Sequence, residues 1–302
     1  MRPLRLATCF LALVMSPLWA LAQGGNHDAG GLAMEVLPGS WGSAGAADIQ
    51  AVLVSVAEVL VPHFPHHSAD RIVVSRSSNG PRVSAAKGPD GAYRVALDVS
   101  DARWDQFAYQ FSHELCHIFT NFEHRAIEST VARRDQHWFE EALCESMSLL
   151  ALGRIATSWE QSPPHSHWRA YAPAFRLYAA RLSNEAHRRL PADLSFAAWY
   201  AANRTALERN PYLRKKNELV AAAILPLLEQ APGALEAAGC LNLDTSIWTG
   251  WTGNFSDYVA RWRDSCPQAH NEFFSELTAL FEEPYPPGGI AAAGTTPDPQ
   301  LF

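Results

Sequence analysis

The chain has 302 residues, 48% of them hydrophobic, and its 31 acidic against 24 basic residues give a formal net charge of −7. This length suits one large domain or two closely packed ones. The charge is negative and no long basic run occurs, which argues against nucleic acid as the main partner.

The N-terminus has the pattern of a secretory signal peptide. Arg2 and Arg5 precede an apolar run over residues 6–21, and an A-x-A sequence ends at Ala22. This run is shorter than the ~20 residues that a spanning helix needs, and Pro17 interrupts it, which argues against a membrane anchor. We expect cleavage near Ala22 and a periplasmic or secreted protein. No membrane span is expected after cleavage, because no second apolar stretch approaches spanning length.

Residues 46–103 predict a helix packed on a small sheet. Asp48 is placed to cap the helix and Pro62 to end it. The runs "RIVVS", "VSAA" and "YRVALDV" follow, separated by Asn-Gly and Asp-Gly turn signals. Short β-branched runs joined in this way favour a mainly antiparallel sheet. Residues 23–45, which are rich in Gly, Ala and Ser, are expected to be loose.

From Trp104 onward the hydrophobic period becomes helical. Apolar residues recur every three or four positions, which predicts a mostly buried helix. A second helix is expected from about Gln136 to Leu152, ended by the glycine that follows. Residues 284–302 form a disordered tail by composition. Between the second helix and this tail, further helices are predicted at 168–189, 192–208, 215–230 and 254–283.

The predicted helix that begins near Trp104 carries the motif H-E-x-x-H, formed by His113, Glu114 and His117. Two histidines four residues apart lie on one face of a helix, where their ring nitrogens can converge on one metal ion. A catalytic zinc ion takes a third protein ligand and leaves a fourth position open to water. The motif is short enough to occur by coincidence, so the third ligand decides whether it forms a metal site.

The second helix provides a candidate for that ligand in Glu141. Glu141 and Glu145 are four residues apart within the apolar stretch "HWFEEALCESMSLLAL", so they share a helix face. Buried carboxylates are unfavourable unless a cation neutralises them. We therefore expect a divalent metal next to Glu141, with Glu145 orienting a ligating histidine through its second ring nitrogen. The alternative is that Glu140, Glu141 and Glu145 form a solvated acidic face.

These residues resemble those of the gluzincins, the thermolysin-like and aminopeptidase-like zinc metallopeptidases. In that group a helix with the third ligand follows H-E-x-x-H, and the aminopeptidase branch often reads W-x-x-E-G-x-A. Trp138 and Glu141 match this pattern, and Ala142 replaces the Gly. In the thermolysin branch an acid four residues past the ligand holds a zinc-bound histidine, and Glu145 occupies that position. The resemblance covers about residues 104–150.

The resemblance implies a zincin-like α+β fold with one Zn²⁺ held by His113, His117 and Glu141. The metal would lower the pKa of a bound water towards ~7, and Glu114 would take its proton and pass it to the leaving amine. The expected activity is hydrolysis of peptide bonds in a peptide or protein substrate. The alternative is a binding or scaffolding protein of the cell envelope that keeps the architecture without turnover. Nothing in the sequence predicts an oligomeric state.

Two positions in the site have alternatives. A metzincin pattern would place the third ligand at Glu123, but it requires Gly where Thr120 stands. The apolar period through Phe122 predicts instead that the helix continues and turns Glu123 away. For the residue that stabilises the oxyanion, Tyr212 is our first choice. Its alternatives are His165, His167 and Tyr171.

The cysteines after the signal segment are Cys116, Cys144, Cys240 and Cys266. An even count in an exported protein favours disulfides, and the lack of C-x-x-C spacing argues against a thiolate zinc site. Cys116 and Cys144 flank the metal ligands on two helices that must approach each other at the ion. We therefore predict a Cys116–Cys144 disulfide and, by elimination, Cys240–Cys266. The alternative is that Cys116 and Cys144 are small buried residues that never bond.

The predictions together divide the chain into consecutive segments, with a zincin-like metallopeptidase domain over residues 46–283. Its parts are a helix and sheet, the zinc helices and a helical remainder. In chain order the segments are the signal peptide (1–22), the loose segment (23–45), the helix and sheet (46–103), the zinc helices (104–153), the helical part (154–283) and the tail (284–302).

Overall fold

The structure, a computed structural model, contains a small sheet followed by a mainly helical remainder. The predicted α+β class is confirmed at this level. The predicted signal peptide and C-terminal tail lie outside the described residues. The structure describes residues 28–29, 32–67, 70–123, 136–231, 233–243 and 254–282.

Five short strands in the described part of the chain form one mixed sheet: β1 (Asp28–Ala29), β2 (Leu32–Val36), β3 (Arg71–Arg76), β4 (Arg82–Val83) and β5 (Tyr93–Leu97), in the order β1-β2-β3-β5-β4. The central pairs β2–β3 and β3–β5 are parallel, and only the edge strands β1 and β4 pair antiparallel. The prediction of a mainly antiparallel sheet is therefore wrong. One reason for the error is that β2, which pairs parallel with β3, lies in the segment over residues 23–45 that was expected to be loose.

Helix α1 (Ala46–Leu60) connects β2 to β3 and accounts for their parallel pairing. A helix between two strands returns the chain along the sheet, so the second strand runs in the same direction as the first. The helix begins after Gly45, and Asp48 lies in its first turn without capping it. The predicted cap is thus wrong, whereas the helix does end just before Pro62.

The remaining helices of the described residues form most of the molecule. The predicted helix over residues 254–283 is two helices, separated near Pro267. The helices predicted at 168–189, 192–208 and 215–230 are confirmed, with bounds that differ from the predicted ones. After α1, the helices of the described residues are α2 (Trp104–Phe119), α3 (His137–Gln161), α4 (Ala172–Ser183), α5 (Phe196–Arg209), α6 (Arg214–Gln230), α7 (Ala234–Ala238), α8 (Phe255–Asp264) and α9 (Asn271–Phe281).

Helix α3 is longer than predicted and lies at the centre of the fold. It continues through Gly153, so the prediction that this glycine ends it is wrong. Ile155, Ala156 and Trp159 beyond the glycine are fully buried, and their packing holds the backbone helical. The helix packs against α2, α4 and α6. The polar side chains in the first half of α3, such as Glu140 and Glu145, therefore meet other protein groups rather than water.

Within the described residues, one apolar stretch is long and apolar enough to span a membrane. Ala46–His63 is long and apolar enough by length and composition, contrary to the prediction that no second stretch approaches that length. Its residues Ile49, Val52, Leu53 and Val56 are fully buried, and α1 packs against α2 and β2. These contacts are those of a core helix.

Candidate metal centre

Helices α2 and α3 bring the three predicted metal ligands together. His113 Nε2 lies 3.5 Å from one carboxylate oxygen of Glu141, and His117 Nε2 lies 3.7 Å from the other. One ligand atom from each residue lies within 4.8 Å of the other two. Bonds of 2.0–2.2 Å at tetrahedral angles would separate neighbouring ligand atoms by about 3.4 Å. The donor set therefore fits a zinc-sized ion with little adjustment.

A disulfide joins the same two helices beside the ligands. Cys116 and Cys144 are bonded, with their Cα atoms 5.2 Å apart, so this prediction is confirmed. The second predicted disulfide is not formed: Cys240 and Cys266 are free thiols. They are near enough to hydrogen-bond to each other, and the Cys266 thiol also donates to the carbonyl oxygen of Ala237, 3.5 Å away.

Glu140 orients His117, a role that the sequence did not reveal. It is 1% exposed, and its Oε1 lies 2.7 Å from His117 Nδ1. A carboxylate only accepts hydrogen bonds, so Nδ1 carries the proton and Nε2 is left to bind a metal. The alternative of a solvated acidic face is wrong for this helix. The available signal was an acid next to Glu141 on a helix that is apolar on all sides.

Glu145 has different partners from those predicted. Its carboxylate lies 3.8 Å from His113 Nδ1, which is beyond hydrogen-bonding distance. Instead it accepts bonds from the Tyr109 hydroxyl at 2.5 Å and from Arg188 Nη2 at 2.6 Å. The carboxylate that bonds to a predicted ligand is thus Glu140, and that histidine is His117.

His137 is a third histidine beside the ligands. It lies one helical turn before Glu141, and its Nε2 is 3.1 Å from Glu141 Oε1. Its ring meets the ring of Tyr212 edge to face, with 5.4 Å between centroids. Since α3 begins at His137, the helix start places this imidazole where it can steady the Glu141 carboxylate.

Charges in the site favour a protonated His113 facing an ionised Glu141 when no metal is bound. Burial lowers the pKa of His113, but the Glu141 hydrogen bond and the nearby carboxylates of Glu114 and Glu145 outweigh it and raise the pKa to about 9. Burial acts to raise the pKa of Glu141, yet hydrogen bonds from His113 and His137 hold it well below its usual range. A divalent cation would take the place of the His113 proton.

Glu114 faces a cavity of about 440 Å³ that opens in front of the ligands. It is 4% exposed, and burial raises the pKa of its carboxyl group, against the charges of His113 and His117 and the backbone of Val83. Val83 belongs to the edge strand β4, which lines the same cavity. The carboxyl group therefore sits between the ligand pair and a sheet edge.

The structure distinguishes the alternative residues for the third ligand and for stabilising the oxyanion by where they lie. Glu123 accepts a hydrogen bond from the Tyr93 hydroxyl at 2.5 Å and is not part of the ligand group. The helix does end at Phe119, earlier than predicted, so Glu123 is turned away for another reason than helix continuation. Tyr212 lines the cavity, whereas the described lining does not include His165, His167 or Tyr171.

A second group of potential ligands lies at Glu185, His187 and Glu218. Two arginines already neutralise its carboxylates. Arg188 lies 3.4 Å from Glu185 and 3.3 Å from Glu218, and Arg214 lies 2.7 Å from Glu218. Guanidinium groups repel a metal cation, so the group of His113, His117 and Glu141 is the better candidate for a metal site.

The chain matches no protein-family model, no curated protein and no solved structure. The resemblance to gluzincins expected from the sequence therefore rests on the motifs of α2 and α3 alone.

Proposed function

We propose that the protein is an exported zinc-dependent metallopeptidase. The observation that carries the proposal is the convergence of His113, His117 and Glu141 on one point, beside the buried carboxyl group of Glu114 and in front of a cavity. His113 and His117 would bind Zn²⁺ through Nε2, and Glu141 through its carboxylate. When bound, zinc would supply a Lewis acid and lower the pKa of a coordinated water towards ~7.

Glu114 would act as the proton carrier. Its carboxyl group lies in the cavity with the ligands, and burial raises its pKa, which makes the carboxylate a stronger proton acceptor. It would take the proton of the attacking water and deliver it to the leaving amine nitrogen. Glu140 and His137 would keep the imidazole of His117 and the carboxylate of Glu141 in place.

Tyr212 is our proposal for the group that stabilises the developing negative charge on the carbonyl oxygen. Among the other donors in the cavity, the Tyr109 hydroxyl bonds to Glu145 and Arg214 Nε bonds to Glu218. Tyr212 is 67% exposed, and its ring rests on His137. Closure of substrate over this ring would bring the hydroxyl into a drier environment, where a hydrogen bond to an oxyanion is stronger.

Purified protein mixed with a quenched peptide library, with and without a chelator, tests the proposal. We expect cleavage that the chelator abolishes and that added Zn²⁺ restores. Glu114→Gln should keep its zinc and lose on the order of 10²-fold or more in rate. Glu35→Gln, an exposed acid on the sheet, is the control and should cleave as wild type does. Bound zinc without any cleavage would instead favour a binding or scaffolding role.

A further inference from the structure

We infer that Asn242 is a positioning residue of the metal site, acting through Glu140 on His117. The inference rests on the ligand set of the proposed function. Asn242 lies in the segment after α7, 102 residues beyond Glu140 in the chain, and no motif connects the two.

The contact between Asn242 and Glu140 is direct and buried. Asn242 Nδ2 donates to Glu140 Oε2 at 2.9 Å and to the carbonyl oxygen of Thr120 at 2.7 Å. Both partners only accept hydrogen bonds, so the amide orientation is fixed. His117 donates to the other oxygen, Oε1. One carboxylate is thus held from both sides, by a metal ligand and by Asn242, which is 1% exposed.

The backbone at Asn242 suits this role. Its φ is +62°, in the left-handed region that Asn and Gly adopt more readily than other residues. Asn121, at the end of α2, has a φ of +56°, and its amide donates to the carbonyl oxygens of Gly239 and Leu241 at 2.9 and 3.0 Å. Two asparagines therefore fasten residues 239–242 to the end of the ligand helix. Of these two, only Asn242 bonds to the Glu140 carboxylate.

The physical effect follows from the geometry of a carboxylate. Because both oxygens of Glu140 accept hydrogen bonds, its carboxylate resists rotation about the last side-chain torsion. The hydrogen bond from His117 Nδ1 therefore keeps one direction. That direction aims Nε2 towards Glu141. Without the Asn242 amide, Glu140 Oε2 loses this donor in a buried position, where rotation towards other donors would weaken the bond to His117.

Zinc affinity, measured by competition with a chelator, tests the inference with a matched pair of variants. Asn242→Gly keeps the left-handed backbone and removes the amide, and we expect zinc binding about tenfold weaker or more. Asn121→Gly makes the same change in the same fastening but leaves Glu140 untouched, so its affinity should stay near wild type. Asn242→Asp should lose more than Asn242→Gly, because it puts a second carboxylate against Glu140.

A second readout keeps this inference separate from the proposed activity. Imidazole ¹⁵N signals of His117 in metal-free protein should show protonated Nδ1 in wild type and a mixture of tautomers in Asn242→Gly. In a Glu140→Ala background, Asn242→Gly should cause no further loss of zinc affinity. Wild-type zinc affinity and ring signals in Asn242→Gly, or an equal loss in Asn121→Gly, would overturn the inference. Zinc binding without peptide cleavage would defeat the activity but leave the positioning role intact.

Discussion

At the residue scale, the site depends on which acids face the histidines and which face elsewhere. Glu141 lies 3.5 and 3.7 Å from the Nε2 atoms of His113 and His117, whereas Glu123 bonds to Tyr93. The difference arises because α3 is fastened to α2 by the Cys116–Cys144 disulfide, while α2 ends before Glu123. Position relative to the helix pair, rather than distance along the chain, distinguishes the two candidates for the third ligand.

Substitution of these two acids separates the gluzincin-like from the metzincin-like arrangement. Glu141→Ala should reduce bound zinc well below one ion per chain, because it removes one of three protein ligands. Glu123→Ala should leave the zinc content unchanged, since its carboxylate is engaged by Tyr93. Elemental analysis of the two purified variants measures this. The opposite pattern would move the third ligand to Glu123.

The ion pair between His113 and Glu141 predicts how stability of the metal-free protein depends on pH. The folded-state pKa of His113 is raised from 6.5 to about 9, so its contribution is fully present below about pH 6.5 and is lost as pH rises through about 9. The lowered pKa of Glu141 makes its contribution present above its unfolded pKa and lost only in strong acid.

Denaturant unfolding of chelator-treated protein at several pH values measures this dependence. Between pH 6.5 and 9 the free energy of unfolding should fall in wild type and stay flatter in Glu141→Gln, which removes the charge opposite His113. A wild-type free energy that rises over this range would contradict the assigned ion pair.

At the scale of helices and strands, tertiary packing outweighs the helix-ending and loop signals of the local sequence. The sequence correctly predicted α2 and α3 because their apolar residues recur with a helical period. It failed at Gly153, where the intrinsic weakness of glycine in a helix is overcome by buried Ile155 and Trp159. It also failed at β2, a five-residue strand whose parallel partner β3 lies beyond α1 in the chain and whose surroundings are rich in Gly and Ala.

Gly153 offers a direct measure of that intrinsic weakness. It has no positive φ, and a Cβ atom there would meet nothing within 4 Å. Gly153→Ala should therefore raise the free energy of unfolding by about 0.5–1 kcal/mol, as read from chemical denaturation. Gly42→Ala is the contrasting control, because φ is +69° and the Cβ atom would lie 2.3 Å from Asp101 Oδ1. It should destabilise, and a loss at both positions would contradict the explanation for Gly153.

At the scale of the whole molecule, the proximity of His113, His117 and Glu141 was predictable from the sequence, and the groups around them were not. H-E-x-x-H and Glu141 are visible because helical spacing alone brings each set to one face. Glu140 and Asn242 meet only in the fold, and Arg188 reaches Glu145 from a different part of the chain. Sequence spacing identifies residues within one helix, whereas contacts between distant segments depend on how the helices pack.

Arg188 lies between α4 and α5 and links its own segment to α3 and α6. Its removal should therefore destabilise the whole fold. Its side chain is 0% exposed and lies 2.6 Å from Glu145 on α3, 3.4 Å from Glu185 and 3.3 Å from Glu218 on α6. Arg188→Met keeps an apolar stem of similar length but leaves buried carboxylates without this cation. We expect the free energy of unfolding to fall by about 3–5 kcal/mol, measured by urea denaturation with zinc present in excess.

The matched control for Arg188 is Arg176→Met, which breaks an ion pair with Glu160 on the surface, where both side chains are nearly half exposed. Solvent screens such a pair, so no measurable change in stability is expected. Equal effects of the two substitutions would show that burial does not set the contribution of Arg188. A loss confined to Arg188→Met would show that the carboxylates beside the metal ligands depend on a cation supplied by the helical half of the chain.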